Sequence, residues 1–192
     1  RPVLRPRVIT EKTFRSIVLH VPRYHETKQH SHSVEVDILI NDGTIATVAT
    51  GEVKPLRDLL KKIRKDKALE KRLLGKTPEH FLFEILTQVL LFVDRQLDHI
   101  QEKLDLFERD ITNVHHKGFL ETLAVLRGDI LDIRRIIKPE REVFEDLAEH
   151  DGIRWKGLLA EYDRIFDRVE NHKETIEALY ETFTALVSVR AN

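Results

Sequence analysis

The chain of 192 residues contains no cysteine and no methionine. Without cysteine there are no disulfides, no zinc–thiolate sites and no thiol nucleophile, and the composition fits a reducing compartment. Without an initiating methionine, the sequence reads as a piece processed or cut from a longer chain. Glycine (7) and proline (6) are scarce, which favours long helices over a loop-rich or all-β chain. Neither sign of charge dominates: 32 Lys and Arg against 33 Asp and Glu leave a net charge of −1, so no polycationic surface for nucleic acid is expected. The most apolar run, "FLFEILTQVLLFV" (81–93), falls short of the about 20 residues that span a bilayer. Residues 1–30 carry no apolar signal-peptide segment, and the chain as it stands reads as soluble. No nucleophile elbow, P-loop, GxGxxG or HExxH is present. Ser16, Ser31, Ser33 and Ser188 lack any glycine frame, so no enzymatic activity is expected.

What is present changes texture near residue 51. From 13 to 50 the rhythm is that of strands. "FRSIVLHV" (14–21) is rich in β-branched residues, and Val34, Val36, Ile38 and Ile40 alternate. "NDG" (41–43) signals a tight turn before "TIATVAT" (44–50). Strands over 13–22, 34–41 and 44–49 form an antiparallel set, to which "RPVLRPRV" adds an edge piece. So small a sheet needs cover from helices or further strands.

Beyond residue 51 the pattern is helical. Pro55 suits the first turn of a helix over 54–65, a short helix over 67–74 stops at Gly75, and Thr77-Pro78 opens a much longer one. Apolar residues then recur by threes and fours from Leu82 to Ile111, "NVHHKG" (113–118) reads as a helix–helix turn, and the beat returns from Leu120 to Ile137 before Pro139 kinks it. The last helix repeats at 155, 159, 162, 166, 169, 173, 176, 180, 183 and 187, with only Lys173 polar. That 3.5-residue period is the mark of a supercoiled helix. Roughly 38 residues make a rod of about 57 Å. A rod that long overhangs so small a core, so part of its seam is expected to face other subunits.

The expected fold is α+β: a small antiparallel β-sheet with short helices (1–75), an antiparallel long helix pair (76–152), and a long C-terminal stalk helix (153–192). Three groups of side chains invite a metal reading. His25, His30 and His32, with Glu26 beside them, suit Zn2+ or Ni2+, but a solvated polar loop between strands is the default. His115 and His116 point apart at a hairpin tip. Among the carboxylates, Asp94, Asp98, Glu102 and Asp105 share a stripe, and Glu145, Asp146, Glu149 and Asp151 gather at a helix end. Such oxygens suit loosely held Mg2+, with Asp146, Glu149 and Asp151 as the candidate set. Nearby Lys103, Arg109, Arg141 and Arg154 make salt-bridged surface the default.

The order of segments resembles the cytosolic portion of the CorA magnesium/cobalt transporters over nearly the whole chain. "RPRV" (5–8), "SIVLHVPRY" (16–24), "SVEVDILI" (33–40) and "IATVAT" (45–50) are similar to its successive strands. "LEKRLLGKTPEHFLFEILTQVL" (69–90) and "LDHIQEKLDLFERDI" (97–111) resemble its first long helix, "IIKPEREVFEDL" (136–147) its W-P-L-R-E-V motif with Lys138 in the Trp place, and "VSVRAN" (187–192) its V-S-N-R-T-N. The resemblance implies a homopentameric, channel-like transporter with passive permeation of Mg2+ or Co2+. It implies an inner-membrane location, with this part in the cytoplasm. The stalk would line a funnel and run past Asn192 into a first transmembrane helix, absent here, that ends in Gly-Met-Asn. It places Asn192 at the cytosolic mouth of the pore and Glu181 on the funnel axis. Two acidic positions that bridge subunits through Mg2+ in relatives correspond to Thr87 and Gly157, which puts that bridge in doubt. The residues before "RPRV" in the family are missing, so the sheet is expected to be incomplete. A Zn2+-transporting relative, a freestanding helical coiled-coil scaffold and, last, a His/carboxylate metalloenzyme are the competing readings.

Overall fold

The computed structural model describes residues 4–25, 30–110 and 118–191, with the side chains of residues 110, 151, 190 and 191 left aside. Glu26, His115, His116 and Asn192 therefore lie outside the described residues. Four strands, β1 (Arg7–Thr10), β2 (Arg15–His25), β3 (His30–Ile40) and β4 (Ile45–Ala49), form an antiparallel meander in chain order. Register explains the buried face: Ile17 opposes Ile38, Leu19 opposes Val36 and Val21 opposes Val34, all nearly inaccessible. Asn41 shapes the β3–β4 turn, its Oδ1 accepting from the backbone N–H of Thr44 at 3.0 Å and of Gly43 at 3.3 Å.

Strands β2 and β3 run further than the apolar alternation indicates. Their pairing continues through Arg23↔His32 and Tyr24↔Ser31 to His25↔His30. The polar composition there reads as loop, yet a strand that need not bury both faces carries polar side chains without loss. His25, His30 and His32 thus stand on strands rather than in a loop.

The helices start and stop where the capping residues place them. In α1 (Lys54–Lys65) Pro55 occupies the first turn. Asp66 caps α2 (Lys67–Leu74), its Oδ1 accepting from Ala68 N at 2.9 Å and Leu69 N at 3.0 Å. Thr77 does the same for α3 (Pro78–Asp110) through His80 N. Then follow α4 (Phe119–Ile137), a 3-10 turn (Lys138–Glu140), α5 (Arg141–Asp151) and α6 (Ile153–Ala191). Gly118 (φ 100°) and Gly152 (φ 89°) take the left-handed half of backbone space before α4 and after α5. At Pro139 the chain tightens into the 3-10 turn, and the buried Tyr162 hydroxyl donates to the Ile137 carbonyl at 2.9 Å.

Contacts along α6 fix the helix directions. Phe83 meets Trp155 (ring centroids 5.4 Å apart), and Leu97 meets His172, so α3 and α6 run parallel. Phe119 stacks on Phe183 (4.5 Å) while Tyr162 reaches Ile137, so α4 runs antiparallel to both. One apolar core extends from Ile17 on the sheet to Phe183 on α6.

The buried seam of α6 differs from the expected one at alternate rungs. Trp155, Tyr162, Val169, Ile176 and Phe183 are buried, but the rungs between are Leu158, Ile165, His172 and Leu179. The neighbouring Leu159, Phe166 and Lys173 are half-buried and Tyr180 is exposed. Because α6 lies against both α3 and α4, it buries an arc wider than one coiled-coil seam, and both flanks are apolar in sequence. His172 enters the core because its Nε2 donates to the Leu97 carbonyl at 3.0 Å. The seam stays covered within the chain as far as Phe183, so the overhang is confined to the last two turns.

Candidate functional site

The stalk α6 presents three kinds of surface. Its first flank is clamped to α3 by charge. Arg164 Nη2 lies 2.9 Å from Asp94 Oδ2, Arg168 pairs with Asp94, and Arg168 Nη2 lies 2.7 Å from Asp98. Burial acts to raise the Asp94 carboxyl, but hydrogen bonds from Arg164 and Arg168 outweigh it and hold the group below its ordinary range. Glu102 faces His99, and Asp105 accepts from Gln101 at 2.6 Å. This acidic stripe is engaged in holding helices and surface, in line with its default reading. On the α4 side, Arg134 pairs with Glu170.

The second surface is the apolar stripe Leu159, Phe166, Tyr180 and Val187, interrupted by Lys173. Tyr180 is 54% exposed and Val187 41%, and Lys173 Nζ pairs with Glu177 at 3.4 Å. Glu181 lies beside this stripe, exposed and with no ion pair among the described residues. Leu159 and Phe166 pack in part against the chain's own core, and only Tyr180 and Val187, seven residues apart near the end of the helix, continue the stripe as exposed surface.

The third is the junction of α5 and α6. The Asp146 carbonyl accepts from His150 Nδ1 at 2.7 Å, and Asp146 Oδ1 is 3.7 Å from the same nitrogen. That backbone hydrogen bond, with the charges of Asp146 and Glu149, raises the His150 pKa. Glu149 is exposed, and the side chain of Asp151 is outside the described residues. Glu145 is drawn away into a pair with Arg141, which also reaches Asp163 at 3.0 Å. Among the described residues no three His, Asp or Glu side chains stand ready to hold a metal.

Thr87 and Gly157 lie on α3 and α6. Thr87 is half-buried and its hydroxyl donates to the Phe83 carbonyl at 2.8 Å. Gly157 is exposed, and a Cβ added there meets nothing within 4 Å. Nothing in the fold thus requires glycine in this helix interior. Gly157→Ala is expected to stabilise the chain by about 0.5–1 kcal/mol, read as a higher Tm; a lower Tm contradicts the open surroundings seen there.

Two buried polar groups were not legible in the sequence. Glu140 is 4% exposed and its Oε1 accepts from His20 N at 2.7 Å, tying the 3-10 turn to the sheet. His172 is equally buried, with a pKa lowered first by burial and further by Arg168. The one available signal for His172 was its position one residue before Lys173 on an otherwise apolar rung. Glu140 gave none. No helix among the described residues is long and apolar enough to cross a membrane.

A family model described as CorA-like Mg2+ transporter protein matches residues 2–191. The soluble domain of CorA from Methanocaldococcus jannaschii has a similar structure (TM-score 0.82, 17% identity, covering 94% of this chain and 74% of that one). So does the complete CorA magnesium transporter of the same organism (TM-score 0.83, 16% identity, covering 98% of this chain and 60% of that one). The ZntB cytoplasmic domain from Vibrio parahaemolyticus is less similar (TM-score 0.64, 17% identity, covering 96% and 71%). No curated protein matches the chain. The chain spans about 60% of the length of the complete transporter it resembles, and its α+β fold is that of the CorA soluble domain. The chain belongs to the CorA-like Mg2+ transporter family.

Proposed function

We propose that this chain is the cytosolic, funnel-forming part of a homopentameric transporter that conducts Mg2+ or Co2+ passively across the inner membrane. The observation that carries this reading is the pair Tyr180 and Val187, exposed at heptad spacing on a stalk whose earlier turns pack within its own chain, in a chain matched over its length by the family model. The chain's own core covers Leu159 and Phe166 in part but leaves Tyr180 and Val187 exposed, and a ring of copies buries these two. Glu181, exposed beside the pair, then supplies a ring of carboxylates to the funnel, and Asn192 stands at the mouth of the pore. Hard oxygens held at a distance from the ion suit Mg2+, which keeps much of its water.

The pair predicts self-association. Tyr180→Glu with Val187→Glu leaves the chain's own core untouched and is expected to abolish concentration-dependent assembly in sedimentation velocity, while the thermal midpoint stays within about 2 °C of wild type. A wild-type chain that stays monomeric up to millimolar concentration removes the packing argument.

Regulation by a bridging ion through positions 87 and 157 is not expected, since neither carries a carboxylate. We assign a loosely held regulatory Mg2+ instead to Asp146, Glu149 and Asp151. The supporting observation is that Asp146, half-buried, and Glu149, exposed, stand within one turn of each other at the end of α5. Millimolar Mg2+ is expected to raise the midpoint by about 1–3 °C. Asp146→Asn with Glu149→Gln is expected to remove that rise. An equal rise in the double variant places the ion elsewhere.

A further inference from the structure

The end of the bundle where α2 stops and both α3 and α6 begin carries a group of cations that the transport reading does not use. An open cavity of about 450 Å3 lies there, walled by Lys76, Thr77, Glu79, His80, Arg154 and Trp155. Arg154 is held in place by neutral neighbours. Its guanidinium carbon sits 3.7 Å from the centroid of the Phe83 ring, and its Nη1 lies 2.9 Å from His80 Nδ1. A guanidinium can only donate, so Nδ1 accepts and the imidazole proton rests on Nε2, which is buried without an acceptor. Burial lowers the His80 pKa, and Lys76, Arg154 and Arg72 lower it further against the pull of Glu84. The ring is therefore neutral near pH 7 and leaves the Arg154 charge standing.

Elsewhere the chain balances such charges itself. Arg134 pairs with Glu170, Arg141 with Asp163, and Arg164 and Arg168 with Asp94. Arg72, Lys76 and Arg154 make no ion pair among the described residues, and all three are exposed. The carboxylate on the cavity wall is that of Glu79. Charge is also segregated along the sequence: residues 54–76 hold ten Lys and Arg against three Asp and Glu, in a chain whose net charge is −1. That run ends at Lys76, on the cavity wall, so its positive field draws small anions there.

We propose that this cavity binds a small phosphate-bearing anion, with Arg154 and Lys76 as its ligands. An arginine fork matches two phosphate oxygens, and a lysine adds a point charge. Cavities of about 300–1,000 Å3 are the size that small-molecule ligands fill, so a diphosphate or the phosphate chain of a nucleotide fits here. Phe83 is engaged by Arg154 and Trp155, and Trp155 is itself buried, so no aromatic face of this pair is left for a base and recognition falls on the phosphates. A bound anion bridges the α2–α3 link to the first turn of α6. A site built from cations repels Mg2+, and it stands about 40 Å along α6 from Glu181. It does not depend on the transport reading.

The test is calorimetric titration of the metal-free chain with pyrophosphate, ATP and orthophosphate in about 0.1 M chloride, which screens weak surface attraction. The expected result is one saturable pyrophosphate per chain, ATP within about threefold of it, and weaker orthophosphate. Arg154→Gln is expected to weaken pyrophosphate binding at least about tenfold, Arg154→Lys less, and Lys76→Gln at least about threefold. Lys61→Gln with Lys65→Gln removes more charge from α1, outside the cavity, and is expected to cost less than about twofold. No saturable pyrophosphate binding, or binding unchanged in both Arg154→Gln and Lys76→Gln, overturns the proposal. So does an equal loss in the α1 double variant, which would make the attraction a diffuse property of the basic run, and so does binding of ATP without pyrophosphate.

Discussion

Replacing Phe119 with alanine is expected to cost about 3–5 kcal/mol and to lower the midpoint of unfolding by roughly 10 °C. Phe119 joins three helices. It lies flat against Phe183 of α6, centroids 4.5 Å apart and planes within 11°, and meets Phe107 of α3 edge-on at 4.8 Å. It is 5% exposed, so its removal leaves a cavity lined by two aromatic rings that cannot collapse without moving their helices. The loss is also local. Phe183 is the last buried rung of α6, so backbone amides of residues 180–191 should lose hydrogen-exchange protection out of proportion to the rest. Phe119→Leu keeps most of the volume and is expected to cost about 1–1.5 kcal/mol. Equal costs for the two substitutions would show that the aromatic stack is not what closes this end of the bundle.

Glu140→Gln is expected to stabilise the protein at neutral pH. The carboxyl lies 4% exposed between β2, α3 and α5, beside a cavity of about 20 Å3 walled by Leu19, Val89, Phe144 and Tyr162. Its Oε1 accepts from His20 N, but its Oε2 is buried without a protein partner. Burial therefore pushes the Glu140 pKa well above its usual 4.5, against the opposing pull of the His20 N–H. The sign follows from proton uptake. A raised acid keeps its proton in the folded state after the unfolded chain has lost it. Its contribution is complete below about pH 4.5 and declines by about 1.4 kcal/mol per pH unit up to the folded pKa. Glutamine mimics the protonated form at every pH. The variant should match wild type near pH 4 and exceed it by at least about 1.4 kcal/mol at pH 7. His172 works in the opposite sense: its lowered pKa makes stability fall as pH drops below about 6.5. It is common to both proteins, so the difference between their curves isolates Glu140. A difference that does not vary with pH would mean that Glu140 is ionised in the folded state.

These two residues also mark where the sequence stops being informative. Caps and turns were legible where their chemistry is local: Thr77, Asn41 and Gly118 satisfy or bend the backbone within a few residues of themselves. The order of strands and helices therefore follows the sequence reading, although β2 and β3 run further than expected. The phase of α6 did not. Leu158 and Leu159, or Ile165 and Phe166, are equally apolar, and only the presence of helices on two sides decides which is buried. The histidine hairpin read as loop because its residues are polar, while its strand pairing is a long-range property. Glu140 looked like one more surface carboxylate in "KPEREVFEDL". Its burial depends on β2, 120 residues earlier in the chain. The Asp94 stripe reads as salt-bridged by default, and Asp94 and Asp98 are so paired, but through Arg164 and Arg168 of α6 rather than the Lys103, Arg109, Arg141 or Arg154 that the sequence suggested.

Ion flow is the central property of the proposed function. The most direct measurement is Mg2+ flux, reported by a dye inside lipid vesicles, through the complete protein that bears this chain, with Glu181→Lys as the companion. The proposed function predicts flux down the Mg2+ gradient that needs no other energy source, extends to Co2+, and drops at least tenfold when lysine replaces the proposed funnel carboxylate Glu181. Flux of Zn2+ without Mg2+ would contradict the proposed cargo, and no flux of any divalent cation would contradict the transport reading outright.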